Sequence, residues 1–308
     1  MTESDSGTPT PDAAGNHAAA RGVEANPVLC VPADEPPGHG TPGDPLPGDG
    51  VDAPLRLDAR FRACHAELAR GYGGGGDPDD PAQVQAMQMV LHIPKTDPPP
   101  RSAVLEAAAA SAVALCLDPR VGPGGEWEPR YLTWKRSRIR KVARRARGAQ
   151  WTAAGEVDGI TIETDGAQAR ALVPGPVGEI DPRIRKLQIG GTDLEHDTPE
   201  APDPELPVLW VNSVLDMTVG KAAAQVGHAS MLLAGALPVD QAFAWAQRGF
   251  RCAVRDADPR QWERLCALVN GDAGARTVAA VRDAGFTEVA PGSMTVIAVA
   301  PELRAIEE

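Results

Sequence analysis

The chain has 308 residues, a formal net charge of −12 and 43% hydrophobic residues. That is long enough for about two domains and apolar enough to bury a core. Its 32 glycines and 30 prolines exceed the roughly 12% of an average protein, which points to long stretches without regular structure. No run approaches the ~18 apolar residues of a membrane span. The five cysteines form no CxxC pair and the six histidines no HxxxH or HExxH. These patterns argue against a membrane protein, a disulfide framework, a metal centre and a cofactor site, and suit a reducing cytoplasm.

Residues 1–50 hold 9 prolines and 8 glycines and few large apolar side chains. Such a stretch buries too little surface to offset chain entropy, so residues 1–83 read as a disordered tail. Within it, 55–70 has the apolar spacing of one helix, anchored by Leu55, Phe61 and Leu68, before GYGGGGDPDDP (71–81) breaks the pattern. Residues 84–195 then read as a smaller α+β domain. MQMVLHI (87–93) is a buried strand and 101–117 a helix with Ser102 at its N-cap. The segments 160–163 and 168–173 form a hairpin around Asp165-Gly166, and RIRKLQI (183–189) is a further strand. The acidic, proline-rich HDTPEAPDPELP (196–207) is a stiff linker.

The last hundred residues, 208–303, alternate strand and helix. Strands fall at 208–214, 250–255, 276–282 and 295–300, and helices at 220–237, 241–249 and 259–270. This order predicts an open α/β sheet covered on both faces. The segments 90–119 and 208–238 also share a strand, a loop and an alanine-rich helix when one gap is allowed, so the middle domain reads as a degenerate copy of the C-terminal unit.

Between Arg130 and Arg147 nine of eighteen residues are basic and none is acidic. Read as one helix, this segment places Arg136, Arg140, Arg144 and Arg147 on one face. Such charge repels itself unless a polyphosphate is bound. Arg136, Arg138, Arg140, Lys141, Arg144, Arg145 and Arg147 are therefore the expected contacts to nucleic-acid phosphates, positioning the partner without reading its sequence.

In the C-terminal domain Gly220-Lys221 opens a helix on which Lys221, Gln225 and His228 lie at i, i+4 and i+7, one face of one helix. Ala222 stands where a phosphate-binding Walker loop would need Ser or Thr. A second cluster, Arg282-Asp283-Ala284-Gly285 through Thr287, Pro291, Gly292 and Thr295, occupies a loop at a strand's carboxyl end, where open α/β sheets bind ligands. Together these stretches resemble the type 2 peptidyl-tRNA hydrolases, with their GKxxAQxxHA helix and RDAGxTxxxPGxxT loop, over about residues 206–301. Asn212 and Val214 replace that family's arginine and aspartate at the end of the first strand, and Thr218-Val219 replaces its first Gly-Lys step.

The resemblance implies a three-layer C-terminal sandwich around a four-stranded mixed sheet, a metal-free hydrolase without a cofactor, and peptidyl-tRNA as substrate. It also implies a dimer of two chains, for which the repeated segment offers another form, a pseudo-dimer of residues 84–195 with 208–303. Ester hydrolysis needs a positioned water, a base and oxyanion donors. The catalytic candidates are Lys221, His228, Asp283, Thr287 and Thr295, with Gly220, Gln225 and Arg282 binding substrate; whether Asp283 or His228 takes the proton stays open at this stage. A catalytically silent tRNA- or ribosome-binding protein is the alternative. The hydrolase reading requires Lys221 and Asp283 to converge on one open hollow at the sheet's edge.

Overall fold

The computed structural model describes residues 57–71, 75–191, 193–271, 278–285 and 287–301. Residues 1–56 of the tail expected at 1–83, the glycines 73–74 and the strand start at 276–277 lie outside them. Order begins earlier than residue 84. Helix α1 (Ala59–Ala69) is capped by the Asp58 carboxylate and buries Phe61, Cys64, His65 and Leu68.

Two sheets follow. The first unit contains β1 (Gln85–His92), α2 (Arg101–Cys116), α3 (Glu128–Arg136), β2 (Arg140–Ala146), α4 (Ala149–Gly155), β3 (Gly159–Thr164) and β4 (Ala167–Leu172). The two-residue β5 (Gly175–Pro176) pairs with β1, and the short α5 (Pro182–Arg185) follows. The second unit contains β6 (Val208–Asn212), α6 (Val219–Ala236), α7 (Val239–Gln247), β7 (Ala253–Ala257), α8 (Pro259–Asn270), β8 (Val278–Arg282) and β9 (Met294–Val299). The strand orders are β2-β1-β4-β3 and β7-β6-β9-β8. In each sheet the first pair is parallel and the other two are antiparallel. The C-terminal sheet is therefore four-stranded and mixed, as the sequence implied.

The registers superimpose as well. Leu91 pairs with Ala169 as Leu209 pairs with Ala298. Val90 and Val208, and the helix caps Pro100 and Thr218, are separated by the same 118 residues. The crossing of α2 and α6 keeps that spacing: a Cβ on Gly227 would meet Ala112, while Ser230 Oγ donates to Ala109 O at 2.8 Å. The match needs no gap, whereas the two sequence segments suggest one.

The two helices pack between the sheets. One continuous core joins β1, α2 and β4 to α6, β6 and β9. Their alanines and glycines let the backbones approach closely, so burial comes from area shared by both units rather than from bulky side chains. The outer face of the first sheet is closed by Ala154, Ile184 and Leu187. That of the second is closed by Leu265, with Trp262 and Val269 of α8 packed alongside. The C-terminal unit is thus a three-layer sandwich of α6, sheet and α8. Helix α1 rivets the assembly: His65 Nε2 donates to the carbonyls of Ala234 and Leu237 at 3.0 Å each, and Phe61 meets Phe243 edge-on at 5.1 Å.

Several expected elements differ. The basic segment is not one helix: α3 ends at Arg136 and residues 140–146 form β2. Parallel pairing with β1 along its whole length overrides the helical spacing, because β1 is a buried strand that needs partners on both edges. RIRKLQI is not a strand either; Asp181 caps Pro182–Arg185 as a helical turn, and only Gln188 bridges to Arg145. Ser102 does not cap α2. Its amide and hydroxyl donate to the Asp197 carboxylate instead, at 2.9 and 2.5 Å. The acidic segment is therefore anchored, with Asp256 receiving His196 Nδ1 at 2.7 Å. The Asp165-Gly166 turn forms as expected, both residues having positive φ.

Candidate active site

Helix α6 follows β6 after a connection over residues 213–218. Thr218 caps it by accepting from the Lys221 amide, and its own hydroxyl and amide donate to the Glu288 carboxylate at 3.0 and 3.1 Å. Thr218 thereby ties the helix start to the loop between β8 and β9. Glu288 sits at φ +61, an unusual conformation for a residue with a Cβ.

The loop leaves β8 after a bulge between Val281 and Arg282, a device that re-aims the following side chain. Its neck is closed by Asp283 N donating to Ser293 O at 2.9 Å and Gly292 N to Asp283 O at 2.7 Å. Gly285 is required there. Its φ is +78, and a Cβ would come within 2.4–2.6 Å of the Pro291 ring.

These two elements bring the predicted residues together. Lys221 Nζ donates to Asp283 Oδ2 at 2.7 Å, across 62 positions of sequence, and to Thr287 Oγ1 at 3.4 Å. Gln225 Nε2 donates to the same Oδ2 at 2.8 Å, and the Gly285 amide to Oδ1 at 2.7 Å. Thr295 is fully buried, and its hydroxyl donates to Gln225 Oε1 at 2.6 Å. It therefore stands behind Gln225 and orients the amide toward Asp283. The pair is more covered than an open hollow: the Lys221 and Asp283 side chains keep 8% and 10% of their surface. Thr287 and Arg282 are exposed at its rim, and Gly220 is buried in the first turn of α6. Phe286 lies outside the described residues.

His228, further along α6, meets a residue of the other unit. Lys141 Nζ lies 3.1 Å from His228 Nδ1, 2.9 Å from Met231 Sδ and 5.3 Å from the Trp134 ring centroid. Burial first, then the charges of Lys141 and Lys221, pushes the imidazole well below its usual range, which favours its neutral form. Burial likewise pushes Lys141 down to about 7. Lys141 is thus no surface phosphate contact.

The other basic residues divide similarly. Arg144 is buried and donates to Gln88 Oε1 and Leu187 O at 2.8 and 2.9 Å. Arg140 forms a two-pronged pair with Asp77 at 2.7 and 2.8 Å. Arg138 lies 3.7 Å from the same carboxylate, and Arg145 donates to Gln188 Oε1 and Gly191 O at 3.0 and 2.5 Å. Arg136 and Arg147 are exposed.

The departures at the end of β6 also have structural roles. Asn212 Nδ2 donates to Met294 O at 3.2 Å and its Oδ1 accepts from the Val214 amide. Val214 is 65% exposed. Among the described residues no group of three or more His, Cys, Asp or Glu could hold a metal. No described helix is long and apolar enough to cross a membrane.

The fold and the cluster define an α/β domain with a lysine, carboxylate and glutamine joined at the carboxyl end of a mixed sheet. Residues 207–306 match the family model for peptidyl-tRNA hydrolase PTH2, so the C-terminal domain carries that family's signature. Residues before 207 lie outside the match, and no curated protein matches the chain. Sequence reasoning did not find Glu288, or Lys141 as a neighbour of His228. Thr218, three residues before Lys221, carried a legible capping signal.

Proposed function

We propose that the C-terminal domain hydrolyses the ester that joins a peptide, or an N-acyl-aminoacyl group, to tRNA. The observation that carries this reading is the Asp283 carboxylate held by Lys221, Gln225 and the Gly285 amide. A carboxylate offers about four acceptor positions. Three are used, and the fourth is suited to hold a water. That water's oxygen attacks the ester carbonyl while Asp283 takes its proton. The bond from the carbonyl carbon to the ribose oxygen then breaks, and the proton passes to the departing tRNA oxygen. Two of the three Lys221 N–H groups point to Asp283 and Thr287, leaving one for the developing oxyanion. Thr287 holds the substrate at the rim, and Gln225 and Arg282 bind its carbonyl or terminal ribose.

The first unit keeps the plan without the site. At the spacing of 118 residues Lys221, Gln225 and His228 fall on Ala103, Ala107 and Ala110, all buried. Where the second unit has the loop carrying Asp283, the first has the two-residue turn Asp165-Gly166. We read residues 84–195 as a silent copy that takes a partner subunit's place within one chain. Exposed Arg136, Arg138 and Arg147 on this unit are the remaining candidates for tRNA phosphate contact.

The test is incubation of the full chain with N-acetyl-aminoacyl-tRNA, followed by separation of free tRNA. Release supports the hydrolase reading. Binding without release supports the silent tRNA-binding alternative, which the covered state of the Lys221–Asp283 pair favours. Light scattering tests the pseudo-dimer: a mass of one chain supports it, and a mass of two overturns it.

A further inference from the structure

Lys141 is a buried lysine whose head lies between two units of the chain, met by nitrogen, sulfur and an aromatic ring rather than by a carboxylate. Strand β2 is parallel to β1, and its Lys141 reaches α6. An added Cβ on Gly227 would lie 3.2 Å from Lys141 Cδ, so the absence of a side chain at 227 leaves the channel through which the lysine stem reaches His228. Around the ammonium stand His228 Nδ1, Met231 Sδ and the Trp134 ring, with Cys116 and Lys221 the nearest titratable groups whose charges bear on this pair. An ammonium has three donors and no lone pair. At His228 it can therefore only donate.

We infer that Lys141, supplied by the silent first unit, is a positioning residue that holds His228 with its proton on Nε2, making the imidazole a hydrogen-bond donor and not the base of the reaction. A neutral imidazole has a single lone-pair nitrogen. With Nδ1 accepting from Lys141, the lone pair that a general base needs is occupied, and Nε2–H acts as a donor. This assigns proton abstraction to Asp283, whose carboxylate keeps an acceptor position. It also gives the first unit a chemical part in the site beyond packing. The inference rests on the hydrolase reading for its catalytic consequence, but not for the hydrogen-bond geometry itself.

The experiment is long-range proton–nitrogen NMR on the full chain with nitrogen-labelled histidine at about pH 6, where the lysine is charged. The chain has six histidines, and His228→Asn assigns the relevant pair of signals. The expected result is His228 protonated on Nε2 in the native chain, with that preference abolished in Lys141→Met. A proton on Nδ1, or an unchanged pattern in Lys141→Met, overturns the inference. The activity arm adds kinetics on N-acetyl-aminoacyl-tRNA. Lys141→Met should lower kcat about tenfold at unchanged KM, less than the 10²–10³ lost when a donor is removed outright. Unchanged kcat overturns the catalytic part. An inactive native chain contradicts the hydrolase reading alone, and the NMR result still decides the role of Lys141.

Discussion

Removing one member of the Lys221–Asp283 pair should cost more stability than removing both. In Asp283→Asn the ammonium, 2.7 Å from the native carboxylate and 8% exposed, stays in place without a counter-charge. Breaking a buried pair in this way costs about 3–5 kcal/mol. Because each side chain still touches solvent along one edge, the low end applies, about 3 kcal/mol. For a folded unit of this size that is a fall of roughly 6–12 °C in Tm. Lys221→Met should behave similarly, since it leaves the carboxylate with only Gln225 and Gly285 as donors. The double variant removes both charges and should lose less than either single variant, which requires a coupling above about 3 kcal/mol, at the upper end for groups in contact. Thermal and urea unfolding of the native chain, the two single variants and the double variant complete the cycle. Additive losses in the double variant would refute the claim that these groups stabilise each other.

Other consequences can be checked alongside. Gly285→Ala should cost more stability and activity than Gly292→Ala. Both glycines have φ near +80, costing an alanine about 1–2 kcal/mol, but only at Gly285 does a Cβ strike Pro291; equal effects would contradict the loop geometry. Lys141→Met should stabilise the chain most at about pH 6. The usual lysine pKa near 10.4 is lowered by burial to about 7, so between these values the unfolded chain holds a proton that the folded chain lacks. Native stability thus rises with pH across this window, and the advantage of Lys141→Met should shrink from pH 6 to pH 9. A pH-independent difference in urea unfolding would contradict that placement. Replacing exposed Arg136, Arg138 and Arg147 with alanine should weaken tRNA binding and flatten its salt dependence by about 0.7–0.9 for each phosphate no longer neutralised. An unchanged slope dismisses this surface.

The C-terminal site was legible because its residues obey local rules. Lys221, Gln225 and His228 share a helical face whatever the helix packs against, and Gly285 and Gly292 mark a loop that only positive φ can build. The first unit was less legible. The spacing of Arg136, Arg140 and Arg144 suits a helix, but β2 is decided by its pairing with β1, between segments more than fifty residues apart. Basic residues on both sides of that strand hide its alternation, so Lys141 and Arg144 look like surface charge although both are buried. Ser102 has the right chemistry for a cap, yet Asp197, 95 residues away, claims it. The likeness of the two units shows in the alanine-rich helices, but the common spacing of 118 residues emerges only from cap positions and strand registers. The meeting of Lys141 and His228 has no sequence signature, since it depends on how two units join across α2 and α6.

The most direct measurement is single-turnover release of tRNA from N-acetyl-aminoacyl-tRNA by the native chain and by Lys221→Ala at matched, saturating enzyme. The native chain should cleave, and Lys221→Ala should be slower by about 10²–10³, the contribution of one oxyanion donor. Equal rates in the two proteins would contradict the role given to this ammonium, whatever the fold.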